Sequence, residues 1–102
     1  MNYQIIPSPD AEADINSAAW WYQRIETNLT LRFLKETDRT LSNISQSPYR
    51  FPRWGGGLRR ALLRRFRYAI YFSLNTNAVF VIAVLHQRQD SVRIYRGNGR
   101  VE

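Results

Sequence analysis

Residues 78–85, Ala-Val-Phe-Val-Ile-Ala-Val-Leu, form an unbroken apolar run. A strand with one wet face alternates polar and apolar residues. A run without alternation therefore marks a strand covered on both faces. The run is far shorter than the ~18–20 apolar residues that cross a bilayer, so its cover must come from the rest of the chain. The segment just before it does alternate. Tyr68, Ile70, Phe72 and Leu74 fall on one face, and Arg67, Ala69, Tyr71 and Ser73 on the other. Asn75-Thr76-Asn77 between the two runs reads as a hairpin turn. Upstream, Leu58 to Arg65 mixes leucine and arginine and is a third strand candidate.

The N-terminal half has a different period. Residues 2–6 read as a short strand that Pro7 ends. Ser8-Pro9-Asp10 is a helix start, with Ser8 as N-cap, Pro9 in the first position, and Asp10 and Glu12 in the first turn. Ala11, Ile15, Ala18, Tyr22 and Ile25 then recur at spacings of three and four, which defines one helical face. Thr27-Asn28 breaks that pattern. A second helix carries Phe33, Leu34, Thr37, Leu41 and Ile44 on one side and Arg32, Lys35, Glu36 and Arg39 on the other, and stops before Pro48. So short a break between helices predicts an antiparallel hairpin. Residues 48–57 read as a loop containing three glycines. The order is strand–helix–helix–strand–strand–strand. It predicts an α+β fold: a helical hairpin packed on a small, mainly antiparallel sheet, with the first strand open to parallel pairing. Residues 1–102 read as one domain, with 87–102 a polar, basic C-terminal tail.

Charge is segregated along the chain. No aspartate or glutamate occurs between Arg39 and Gln89, a stretch that holds Arg50, Arg53, Arg59, Arg60, Arg64, Arg65, Arg67 and Arg88. Net charge is +7, and Lys35 is the one lysine among fifteen basic residues. Arginine suits planar, bidentate pairing with carboxylate or phosphate and stacking on aromatic rings. With no acids in the same segment, such a block must find its anions in solution, in nucleic acid or on an acidic protein. There is no cysteine, which excludes a disulfide framework and a Cys-based metal site, and no cofactor motif or metal-ligand cluster is present. The N-terminus lacks the basic and apolar regions of a signal peptide, so a cytoplasmic location is expected.

Several residues stand out as candidates. His86 is the sole histidine. With no carboxylate in residues 39–89 to orient it, it reads first as a strand-end residue whose ring bonds backbone. Strict alternation sets Arg59 and Arg65 on one side of their strand and Arg60 and Arg64 on the other. Trp20, Trp21 and Trp54 suit core or interface positions, and Trp54, in the glycine-rich loop, is the choice for a half-exposed interface residue.

Taken together, the chain resembles the RelE/ParE family of type II toxin–antitoxin toxins. The residues that carry the resemblance are Ala11-x-x-Asp14-Ile15, Trp21-Tyr22, Phe33, Pro48, Arg59-Arg60-Ala61-Leu62-Leu63, Phe66-Arg67-Tyr68-Ala69-Ile70-Tyr71, and Val81 to His86 followed by x-Arg88-x-Asp90. RelE-like members cut mRNA on the ribosome, and ParE-like members inhibit DNA gyrase. Where RelE-like sequences place a catalytic arginine in the middle strand, this chain has Tyr68. Where they place one after the last strand, it has Gln87, with Arg88 next. The His86-x-Arg88-x-Asp90 ending looks more like the ParE branch.

The resemblance implies a cognate antitoxin, a hetero-oligomer with it, and DNA gyrase as target. The alternatives are a ribosome-dependent mRNA endonuclease and a basic nucleic-acid-binding module. The expected antitoxin contacts are Trp54, Arg60, Arg64 and Arg65. The expected target contacts are His86, Arg88, Asp90, Arg93 and Arg96. If the chain were a nuclease, Arg67, Tyr68, His86 and Arg88 would be its site.

Overall fold

Strand Ala78–His86, which contains the apolar run, has a neighbour on each side and buried side chains on each face. The computed structural model describes residues 2–88. In chain order the elements are β1 (Gln4–Pro7), α1 (Pro9–Ile25), α2 (Thr27–Gln46), a 3-10 turn at Pro48–Arg50, β2 (Arg53–Gly55), β3 (Leu58–Leu62), β4 (Tyr68–Leu74) and β5 (Ala78–His86). They form one mixed sheet in the order β1-β5-β4-β3-β2. β1 runs parallel to β5, and the other pairings are antiparallel. The α+β architecture expected from the sequence is the one observed, with the helical hairpin laid on one face of the sheet.

Local chemistry sets both ends of the hairpin. The Ser8 hydroxyl accepts the Ala11 N–H at 3.0 Å, and Pro9 opens the first turn of α1. At the tip a single extended residue, Glu26, serves both helices. Its N–H bonds Tyr22 O at 2.9 Å, and its carbonyl accepts the Leu29 N–H at 3.0 Å. Thr27 and Asn28 are therefore the first turn of α2, not a break before it. Beyond the tip the helices fold back on one another. The Tyr22 and Phe33 rings lie 5.3 Å apart, and the Thr30 hydroxyl donates to Ala19 O at 2.8 Å.

The helix-facing core contains Ala11, Ala18, Phe33, Ile44, Ala61, Leu63, Ile70, Phe72, Val79, Val81 and Val84. A large apolar side chain buried as fully as Phe33 or Ile70 contributes about 1.5–3 kcal/mol. A second, smaller cluster (Leu58, Ala69, Tyr71, Ala83 and Leu85) lies on the opposite face. The β4 alternation read from sequence thus divides its residues correctly between the two faces.

β5 changes the face its side chains point to partway along. Tyr71 pairs with Ala83 but Phe72 pairs with Val81, so Ile82 is an extra residue, a β-bulge. Val79 and Val81 reach the helix-facing core before the bulge and Val84 after it, while Ala83 and Leu85 face the other way. β1 ends at Pro7 opposite Val81. From there the start of α1 takes over as the bonding partner of β5. Ser8 N–H bonds Val81 O at 2.9 Å, and the Ser8 hydroxyl donates to Ile82 O at 3.2 Å. The Asp14 carboxylate accepts the Val84 N–H at 3.0 Å. Backbone groups left unpaired by the bulge and by the end of β1 are satisfied in this way.

Two elements differ from the sequence reading. β2 lies inside the expected loop, where three residues without hydrophobic period pair with β3 across a tight glycine turn. Gly55, Gly56 and Gly57 sit at φ of 118°, 60° and 79°, a region that side-chain-bearing residues avoid. A Cβ on Gly55 or Gly57 would meet nothing within 4 Å, so backbone conformation and not space requires glycine there. β3 stops at Leu62, short of Arg65.

The Asp14–Val84 bond has a measurable consequence. Asp14→Ala leaves a partly buried N–H without its acceptor and is expected to lower stability by about 1–3 kcal/mol. Asp14→Asn retains an acceptor oxygen and is expected to recover most of that loss. Urea denaturation followed by far-UV circular dichroism measures both, and an Ala variant as stable as the parent would refute this role.

Candidate functional site

Three groups of candidate side chains lie on different parts of the framework. The first is at the C-terminal end of β5. Tyr68 and His86 are register partners, and their rings meet edge-on at 5.3 Å. Tyr68 also contacts Phe33 at 5.4 Å and Tyr22 at 6.1 Å. The backbone N–H of Arg88 donates to His86 Nδ1 at 3.1 Å, and Gln87 N–H bonds Arg67 O at 2.8 Å. His86 is thus a strand-end residue bonded to backbone. Arg67, Tyr68, His86 and Arg88 share this end of the β4–β5 pair, with both arginines exposed. Burial raises the Tyr68 pKa above the usual phenol value, and the negative charge of Asp14 raises it further. Tyr22 is raised by burial first and by Tyr68 second. Both phenols are neutral at physiological pH. Of the expected target-binding set, His86 and Arg88 lie here, and Asp90, Arg93 and Arg96 fall outside the described residues.

The second group lies on the sheet face opposite the helices. Arg60 sits across from Tyr71, and its guanidinium lies 4.1 Å from the centre of the Trp54 ring. Trp54 in turn meets Tyr71 edge-on at 5.8 Å. A cation on an indole face is held by the ring quadrupole, with about 0.5–2 kcal/mol of attraction depending on solvation. Leu62 on the same strand is half exposed. Arg59, pointing the other way, donates to Phe51 O at 2.7 Å and lies over Tyr49. It staples the 48–52 segment to the sheet.

The third group separates residues that the sequence placed together. β3 has ended before Arg64 and Arg65, so strand alternation does not govern them. They stand on the β3–β4 turn beside α2. The Glu36 carboxylate accepts the Arg64 N–H at 3.2 Å. Arg65 has φ of 70° and is the one non-glycine at positive φ among the described residues. For a side-chain-bearing residue that conformation costs about 1–2 kcal/mol. These two arginines, with Leu29, Arg32, Lys35, Glu36, Arg39 and Phe66, line a cleft of about 420 Å³. The four expected antitoxin contacts are therefore split, with Trp54 and Arg60 on the sheet face and Arg64 and Arg65 at the cleft. Arg32, Lys35 and Arg39 were read from sequence as the polar side of a helix. Their spacing of three and four on one face was the available signal.

All three tryptophans reach solvent. Trp54 is 37% exposed, and Trp20 at 68% and Trp21 at 54% are more so. With Ile25 and Leu31 they leave apolar side chains exposed around the hairpin tip. Among the described residues no cluster of histidine and acid side chains is placed to hold a metal ion. No helix among them is long and apolar enough to cross a membrane.

The family model for the ParE toxin of the type II toxin–antitoxin system parDE matches residues 5–91. The chain belongs to that family and is a ParE-type toxin. A solved structure described as the chromosomal ParDE toxin–antitoxin system from P. aeruginosa shares the fold, with a TM-score of 0.73 at 14% identity. The match covers 82% of this chain and 95% of that one. Curated proteins give no sequence match.

The raised phenol pKa values define an alkaline signature. Neutral Tyr22 and Tyr68 are favoured in the folded state, so the stability they confer is fully present below the unfolded-state value near 10. It is lost as pH rises through their higher folded-state values. In an ultraviolet titration Tyr22 and Tyr68 are expected to ionise above the usual phenol value. Tyr68→Phe is expected to flatten the loss of stability above pH 10, and an unchanged alkaline profile would count against burial as the cause.

Proposed function

We propose that this ParE-type toxin arrests growth by inhibiting DNA gyrase in the cytoplasm and is neutralised by a cognate antitoxin. The observation that carries the reading is the environment of Tyr68. RNA cleavage through the 2′-hydroxyl needs one group to take its proton, another to stabilise the phosphate charge, and a third to protonate the leaving oxygen. Tyr68 occupies the position where the nuclease branch has an arginine. Its half-buried phenol is held neutral by burial and by the nearby Asp14 charge. Such a group is a poor base near neutral pH. A surface that grips a protein target requires no proton transfer, and His86 and Arg88 at the end of β5 supply its described part.

For the antitoxin we propose the face bearing Trp54, Arg60 and exposed Leu62. An acidic segment that folds on binding can place a carboxylate on Arg60 and an apolar residue against Trp54. Truncating one partner of a desolvated Arg–carboxylate pair costs about 2–5 kcal/mol.

Purified protein is to be added to gyrase supercoiling of relaxed plasmid and, in parallel, to translating ribosomes with mapped mRNA. Supercoiling is expected to stop and the message to stay whole. Codon-positioned cuts with gyrase unaffected would instead assign the nuclease activity to Arg67, Tyr68, His86 and Arg88. For the antitoxin, Arg60→Glu combined with Trp54→Ala is expected to weaken the complex at least about 30-fold by calorimetry. Unchanged affinity would place the antitoxin elsewhere on the toxin.

A further inference from the structure

We infer that the cleft between α2 and the β3–β4 turn is a binding site for the phosphate backbone of duplex DNA, separate from the surfaces assigned above to gyrase and antitoxin. Five cations, Arg32, Lys35, Arg39, Arg64 and Arg65, line it against one acid, Glu36. That acid has an oxygen engaged by the Arg64 N–H. Three of the cations come from one face of a regular helix. Arg32 and Arg39 are seven residues apart, about 10 Å along the axis. Duplex DNA presents one phosphate per about 3.4 Å of axis on each strand, so this row matches a repeating charge and not a single anion.

The cleft's other lining points the same way. Its apolar residues are Leu29 and Phe66 alone. Phe66 is already packed edge-on against Tyr22 at 5.2 Å and Phe33 at 5.5 Å. No free ring is offered for base stacking, as a single-strand platform requires. Two apolar residues are few to seat the hydrophobic side of an amphipathic protein segment. Phosphate contacts from arginine and lysine, indifferent to sequence, are what remains. Arg65 adds an independent indication. A glycine would adopt its φ of 70° without strain, yet an arginine stands there and lines the cleft. Strain retained at one residue is characteristic of a functional position.

The test uses the full chain and a fluorescein-labelled 20-base-pair duplex of arbitrary sequence, with anisotropy read across a salt series. With four to five phosphates contacted, log K against log salt is expected to fall with a slope of about −4. The triple variant Arg32→Gln, Lys35→Gln, Arg39→Gln should flatten the slope by about 2–3 and weaken binding by about tenfold or more at low salt. All three residues are exposed, and a melting temperature close to the parent's verifies the fold. Arg65→Gly is the second variant. It is expected to raise the melting temperature, because strain is relieved, while flattening the slope by about 1.

An unchanged slope in the triple variant, or Arg65→Gly binding duplex as the parent does, would overturn the proposal. So would polyglutamate of equal charge binding as tightly as the duplex, since the cleft would then be a carboxylate site for an acidic protein. Supercoiling inhibition and antitoxin affinity are read in other assays on other residues, so failure there leaves this result interpretable.

Discussion

The fold depends on how the start of α1 completes the outer edge of β5. β5 is the strand on which both cores are built. It carries the bulge at Ile82 that lets Val81 and Val84 both face the helices. A bulge exposes backbone groups, and β1 is too short to cover them beyond Val81. Ser8 and Asp14 provide the missing partners. The same serine caps the helix, so one side chain fixes the helix start and its position on the sheet. Sheet register, helix placement and the position of Tyr68 near Asp14 all follow from this junction. At the same open end of the hairpin, the last turn of α2 is tied to the residue before β1 by Tyr3 N–H to Ser45 O and by the Ser45 hydroxyl to Tyr3 O. The helical layer is therefore anchored at both ends of the edge.

Against that framework the arginines divide into distinct roles, although in sequence they look alike. Arg59 is structural, holding the 48–52 segment through its carbonyls. Arg60 is displayed on an indole on the sheet face. Arg64 and Arg65 stand with cations from α2 around a cleft. Strand geometry separates the first two by one residue and opposite faces. The end of the strand separates the last two from both.

Much of this was legible in advance, for physical reasons that differ by element. Ser8-Pro9 and the 3.6-residue period set α1. Alternation in 68–74 and the unbroken run in 78–85 set β4 and β5. The short β2 was not legible, because its three exposed residues, the last of them Gly55, run into two more glycines and carry no hydrophobic period. The break read at Thr27-Asn28 failed because a single capping residue, Glu26, is enough to reverse the chain. Alternation gave Arg59 and Arg60 their correct opposite faces and misplaced Arg64 and Arg65, since β3 ends at Leu62. The basic cleft depends on a helix and a turn about thirty residues apart in sequence, and no local pattern announces such a meeting. The capture of Val84 N–H by Asp14 was hidden for the same reason.

Glu26 gives the hairpin the character of a coupling without slack. Adding or removing one residue there would rotate α2 by about 100° relative to α1. That would carry Phe33 out of the core and turn the cationic row away from its cleft. The relative phase of the two helices is thus set by connector length as much as by packing. The glycine turn after β2 carries no such packing constraint, since a Cβ added at Gly55 or Gly57 meets nothing within 4 Å. The hairpin tip is a fixed gauge against which the exposed tryptophans and the cations of α2 keep their separate bearings.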